Sequence, residues 1–101
     1  MEPRIKEKPV TKTDDKFKEP EQFKVILLND HYTTMDFVVE ILMVIFHKTI
    51  DDASRIMLDV HKKGKGIVGI YVWDIAVTKA EQVHTAAKTS NFPLKCVIEL
   101  A

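Results

Sequence analysis

The sequence predicts an α+β domain in which a small three-stranded antiparallel sheet packs against three helices. Three short segments rich in β-branched residues lie at the start, in the middle and at the end of residues 23–101. The longer segments between them carry apolar residues at helical spacing, together with residues that cap helices. The predicted order is therefore β-α-α-β-α-β, and so small a sheet needs the helical layer for its stability.

The composition fits one small domain that needs no metal, cofactor or disulfide for its stability. The chain has 101 residues, 46% of them hydrophobic, and its 15 basic and 15 acidic side chains give a formal net charge of zero. No overall field therefore attracts nucleic acid or anionic lipid. Cys96 is the single cysteine, and no apolar run is long enough for a signal segment or a membrane span. We expect a cytoplasmic monomer.

Residues 1–22 are predicted to form a mobile, charged N-terminal tail in front of a single domain, residues 23–101. This segment alternates lysine with acidic residues and contains Pro3, Pro9 and Pro20. It has too few apolar side chains to offset the entropy lost on ordering them. Composition alone leaves open whether the tail engages a partner or is a solvated leader without a role.

The first strand is predicted at residues 23–28, which are β-branched, aromatic or leucine apart from one lysine and are followed by a turn-forming Asn-Asp pair. Thr33 or Thr34 can cap a helix that begins near Met35. The helix body, up to Phe46, is apolar nearly all round. One of its faces is expected to pack on the sheet, and another on a neighbouring helix or along an exposed groove.

The second helix is predicted between Thr49, which forms a capping pattern with Asp52, and Gly64, which is typical of a helix end. The next β-rich run predicts a strand from residue 67 to about residue 75. Gly69 inside it indicates a β-bulge or a close approach of another part of the chain.

The third helix is predicted to begin at Thr78, which forms the best capping box of the sequence with Glu81, and to end before Pro93. Residues 94–100 alternate between apolar and mostly polar side chains, which predicts a final strand with one buried face. Cys96 lies on the apolar side of this alternation. It is expected to point inward as an inert thiol, which argues against a Cys-His nucleophile.

The histidines do not predict a metal site. None of the four is spaced from another, or from the cysteine, as metal ligands on one element usually are. They are His31, His47, His61 and His84. The glycines at residues 64 and 66 belong to a helix stop and lack the strand-loop-helix context of a phosphate-binding loop.

A possible binding site combines the turn Asn29-Asp30-His31 with His61, near the end of the second helix. An amide oxygen, a carboxylate and two imidazoles together are suited to a small cation such as a primary ammonium. The same residue types are also typical of an ordinary capped turn beside a surface histidine. The methionines are ambiguous in the same way, since Met fills cores and also lines adaptable binding surfaces. The residues alone leave both interpretations open.

Several motifs occur in order across residues 22–101. They read KVILLND at residues 24–30, YTxMxFV at 32–38 and IMLxVHxxG at 56–64, followed by Gly69, Thr78-Lys79 and Pro93-Leu94-x-Cys96. Together they resemble the ClpS-type adaptors of bacterial Clp proteases, which read N-degrons. The resemblance implies a protein without catalytic activity. It would bind substrates that begin with Leu, Phe, Tyr or Trp and deliver them to a ClpA-type AAA+ unfoldase.

The resemblance also implies roles for individual residues. Asn29 and His61 would bind the free α-amino group of the substrate, with Asp30 supplying negative potential nearby and His31 at a further amine-contacting position. The pocket for the first side chain would be lined by Thr33, Met35, Val38, Met57, Val60 and Leu94. Met35 would exclude β-branched side chains, Asp74 and Lys79 would dock on the unfoldase, and the tail would engage it during handover.

The chain departs from the family pattern at two positions. Thr34 replaces a common proline, which loses some preorganisation but keeps a good helix cap. His31 replaces a common aspartate that contacts the α-amino nitrogen. A neutral imidazole in that position turns a charge-assisted hydrogen bond into a neutral one, a loss of about 1 kcal/mol or more.

Two other function classes are compatible with these residues. One is a small hydrolase or metal-dependent enzyme that uses Asp30, His31 and His61. The other is an interaction module that does not read N-termini, whose fold resembles in outline the C-terminal domain of the ribosomal stalk protein.

Overall fold

Three strands and three helices follow one another in the order that the sequence predicts. The computed structural model describes residues 19–101. The elements are β1 (Gln22–Leu28), α1 (Met35–Val44), α2 (Ile50–Lys63), β2 (Lys65–Val72), α3 (Trp73–Thr89) and β3 (Lys95–Leu100). The predicted fold class is therefore confirmed. Of the tail predicted at residues 1–22, residues 1–18 lie outside the described part of the chain.

The sheet has the strand order β2-β1-β3, and both pairings are antiparallel. The register between β1 and β2 shifts between Val25 and Ile26, so that Val68 is an extra residue on β2. This shift is the bulge predicted next to Gly69. The side chain of Tyr71 also lies close to the Gly69 backbone. A Cβ atom at residue 69 would lie 2.7 Å from the Tyr71 hydroxyl.

One face of the sheet carries the apolar core that the three helices cover. Val25 and Leu27 of the central strand are fully buried there, and Cys96 of β3 is 5% exposed. The inward orientation predicted for Cys96 is confirmed, and burial raises the pKa of its thiol to about 11. At ordinary pH this thiol is protonated and a poor nucleophile.

The first two helices begin and end at capping residues. The hydroxyl of Thr34 accepts a hydrogen bond from the Phe37 N–H (3.1 Å), and that of Thr49 accepts one from the Asp52 N–H (3.2 Å). Thr34 rather than Thr33 caps α1, because the Thr33 hydroxyl already donates to Asp30. α2 ends at Gly64, whose φ of 90° is accessible to glycine at little cost.

The start of α3 differs from the prediction. The helix begins at Trp73, so the predicted extension of β2 to residue 75 and the predicted cap at Thr78 are both wrong. Tertiary packing overrides the local signal, because the Trp73 ring meets the Phe23 ring edge-on at 5.1 Å and Ala76 is fully buried one turn later. The Thr78 side chain therefore lies inside a helix whose first residue has no side-chain cap.

Two polar side chains of α3 fasten the helix to its neighbours. The Lys79 ammonium donates to the carbonyl of Ile45, the residue that ends α1 (2.7 Å), and lies 5.6 Å from the centre of the Phe46 ring. His84 Nε2 accepts a hydrogen bond from the Cys96 N–H of β3 (3.0 Å). Both contacts place α3 relative to α1 and β3. Across residues 19–101, no helix is long and apolar enough to span a bilayer.

Candidate functional site

A cavity of about 420 Å³ lies between the loop after β1, the start of α1 and the second half of α2. Its polar lining comes from the loop and from one histidine of α2, and its apolar lining comes from both helices. The lining residues are Asn29, Asp30, His31, Tyr32, Thr33, Thr34, Met35, Val38, Met57, Val60 and His61. A larger cavity between α1 and α3, about 730 Å³, is more open to solvent and contains none of these residues.

The carboxylate of Asp30 organises the loop. One of its oxygens accepts hydrogen bonds from the backbone N–H groups of Tyr32 (2.8 Å) and Thr33 (2.7 Å). The other accepts a bond from the Thr33 hydroxyl (2.6 Å). These bonds close a turn of the kind that Asp side chains favour and hold it directly before the cap of α1.

The electrostatics of Asp30 follow from these contacts. Burial alone would raise the pKa of the Asp30 carboxyl, but the bonds from the Thr33 hydroxyl and from the backbone of Thr33 and Tyr32 outweigh it. With a smaller contribution from the nearby His31, they hold this pKa below its ordinary value of 3.8. Asp30 is therefore ionised at neutral pH and gives the polar end of the cavity a negative charge.

A backbone contact brings the second part of the site to the first. The Asn29 N–H donates to the carbonyl of Gly64, the residue at which α2 ends (2.9 Å). His61 lies one turn before Gly64, so this bond brings it to the cavity that Asn29 lines. α2 also packs closely on β2, since a side chain at Gly66 of β2 would lie 2.8 Å from a methyl carbon of Val60.

The apolar part of the cavity combines firm and adjustable side chains. Val38 and Val60 are buried and belong to the core. Met57 is half-buried, and Met35, at the first residue of α1, is 44% exposed. Methionine has more torsional freedom than a branched side chain, so the wall that faces solvent can adapt its shape.

The structure brings together nearly all the residues predicted for the amine site and the side-chain pocket. Leu94 is the exception, because it lies buried in the core beside a different groove, between α3 and β3. Sequence reasoning did not assign Tyr32 and Thr34, which also line the cavity. Their position in the sequence, between residues predicted for the site, could have indicated that they line it too. Within residues 19–101, no group of three or more His, Cys, Asp or Glu side chains is placed to hold a metal ion.

The two residues predicted to dock on an unfoldase both lie on α3, away from the cavity. Asp74 is exposed in the first turn of the helix. Lys79 is half-buried, and its ammonium makes the contacts with Ile45 and Phe46 described above.

The family model for the ATP-dependent Clp protease adaptor protein ClpS matches residues 18–97. This chain belongs to the ClpS family. A ClpS adapter of Acetivibrio thermocellus is 58% identical over 97 residues, covering 94% of this chain and 98% of that protein. One from Syntrophus aciditrophicus is 58% identical over 86 residues, covering 85% and 80%. ClpS proteins are adaptors of the Clp protease without catalytic activity, and this sets the hydrolase alternative aside.

A solved ClpS structure shows the same fold with a ligand. ClpS2 of Agrobacterium tumefaciens, bound to L-phenylalaninamide, superposes on this ClpS chain with a TM-score of 0.80. It is 36% identical and covers 82% of this chain and 100% of its own. Its ligand combines a free α-amino group with an aromatic side chain.

Replacing Asp30 by alanine is expected to lower the free energy of unfolding at pH 7 by about 1–2 kcal/mol, because three N–H and O–H groups lose a charged acceptor. The pKa of Asp30 is lowered by folding, so its contribution is present above the ordinary value and is lost as the pH falls through the folded value. Urea titrations at several pH values measure both effects.

The matched control is Asp36→Ala, which removes an exposed carboxylate from the first turn of α1. Its loss of stability should be smaller than that of Asp30→Ala. Equal losses for the two variants would show that Asp30 acts only through its charge and not through the loop.

Proposed function

We propose that this chain binds substrates through a free N-terminal Leu, Phe, Tyr or Trp and delivers them to a ClpA-type AAA+ unfoldase for degradation. The observation that supports this best is the cavity itself. Within one cavity of about 420 Å³, a negatively charged rim with several hydrogen-bonding groups lies directly against an apolar wall. An N-terminal residue with a large side chain carries an ammonium group and an apolar group on the same Cα atom, and so matches both parts of the cavity.

The polar rim is suited to an α-ammonium group. Asn29 and His61 approach from two different elements and would accept hydrogen bonds from it. Asp30 supplies negative potential from a carboxylate whose own hydrogen bonds are used to hold the loop. His31 occupies the remaining position, and its neutral imidazole would accept a further bond.

The apolar chamber would take the first side chain. Thr33, Val38, Met57 and Val60 would surround it, and Met35 would gate the entrance. Leu94 would support this wall from within the core. Acetylation of the substrate, or an internal residue in place of an N-terminal one, would leave the polar groups of the rim unpaired.

Delivery would use surfaces away from the cavity. Asp74 and Lys79 on α3 would dock on the unfoldase, and residues 1–22 would engage it during handover. Lys79 would first have to exchange part of its contact with Ile45 for the partner. We further propose that the protein acts as a cytoplasmic monomer without a cofactor.

Peptides that differ only in a free or an acetylated N-terminal Phe test this function. The free form should bind at least about tenfold more tightly, since acetylation removes the charge and two donors from a site built to accept them. Fluorescence anisotropy with a dye at the C-terminal end of each peptide measures the difference. Similar affinities for the two peptides would exclude recognition of N-termini.

His31 should make this binding sensitive to acid. At acid pH, an imidazolium at residue 31 would repel the ligand's ammonium. Binding of the free Phe peptide should therefore weaken more steeply in the natural protein than in His31→Asp.

Anisotropy titrations of both proteins between about pH 5.5 and 8 provide this comparison. His61 is present in both proteins, so the difference between the two curves isolates residue 31. Parallel curves would show that His31 does not contact the amine.

A further inference from the structure

The face of the sheet opposite the helices carries an ordered set of side chains that the proposed function does not use. The pairings of β1 with β2 and β3 arrange them in three rows across the strands. The rows are Ile70, Lys24 and Glu99, then Ile67, Ile26 and Val97, then Lys65, Leu28 and Lys95. We call this surface the open face.

The middle row of the open face is entirely apolar. Ile26, at its centre, is only 2% exposed although it lies outside the main core. Ile67 on one side is 52% exposed, as is Ile70 in the adjoining row. An antiparallel sheet with one face in water usually carries polar side chains on that face. Packing within the sheet therefore does not explain why this row is apolar.

Lysines surround the stripe. Lys65 and Lys95 are exposed at the two ends of one row, and Lys24 is half-buried in the opposite row. The ion pairs found in residues 19–101 involve none of the three. Glu99 is the single acid of the open face, so the face has a net positive charge in a protein whose formal net charge is zero.

We propose that the open face is a docking surface for an acidic segment of another protein, in which a few apolar side chains are flanked along the chain by carboxylates. The apolar residues of such a segment would cover the stripe at Ile67 and Ile70, and its carboxylates would reach Lys65 and Lys95. A second copy of this chain would present the same positive face and be repelled. Residues 1–18 are a poor match too, since they carry more basic than acidic side chains.

The test uses a short, N-acetylated peptide in which glutamates flank a central run of valines, and a matched peptide with lysine in place of glutamate. Acetylation removes the free amine that the proposed N-terminal site needs, so the outcome does not depend on that proposal. The acidic peptide should bind the full chain and shift the methyl NMR signals of Ile26, Ile67 and Val97. The lysine peptide should neither bind nor shift these signals.

Two charge-reversed variants separate the open face from general electrostatics. The double variant Lys65→Glu with Lys95→Glu should bind the acidic peptide about tenfold more weakly, or worse, since two favourable charge contacts become unfavourable. The control, Lys62→Glu with Lys88→Glu, changes the net charge equally at exposed residues of α2 and α3 and should keep the affinity.

Three results would overturn the proposal. One is an equal loss of binding in both double variants, and another is the absence of peptide-induced shifts on the open face. The third is displacement of the peptide by phosphatidylserine vesicles, which would make this a lipid-binding surface instead.

Discussion

The site depends on one backbone hydrogen bond, from the Asn29 N–H at the end of β1 to the carbonyl of Gly64 at the end of α2. It joins two segments that are far apart in the sequence, and it can form because Gly64 adopts a left-handed conformation that ends the helix there. With this bond in place, Asn29 and His61 face one cavity. Asp30 then folds the following loop around its own carboxylate and leads the chain into α1.

The residue that orders the loop differs from the residues whose hydrogen-bonding groups face the solvent. The carboxylate of Asp30 accepts three hydrogen bonds within the loop, so toward a bound amine it would contribute mainly its charge. Asn29, His31 and His61 are exposed and hold the hydrogen-bonding groups that face the solvent. Preorganisation of this kind lowers the cost of binding, because the polar rim is ordered before a ligand arrives.

Much of the fold could be predicted because its signals are local. Thr49 and Gly64 bound α2 through contacts within a few residues, and the alternation in β3 reports its buried face directly. The start of α3 could not be predicted in this way. It is decided by the packing of Trp73 against Phe23, which lies 50 residues earlier (73 − 23) and overrides a good capping box at Thr78.

The same distinction holds for the site. The resemblance to the ClpS family implied its polar and apolar members as a set, and nearly all of them lie around one cavity. Leu94 lies apart from the cavity, buried in the core. Whether a residue faces a cavity or packs in the core depends on long-range geometry that a short motif does not encode.

In the proposed complex, Asn29 and His61 act together on a single amine. A double-mutant cycle with Asn29→Ala and His61→Ala, measured by calorimetry with L-phenylalaninamide as the ligand, tests it most directly. Each single variant should bind about tenfold more weakly, and the two losses should be non-additive by at least about 0.5 kcal/mol, since both groups hold the same nitrogen. Single variants that keep the affinity within about twofold would contradict the account.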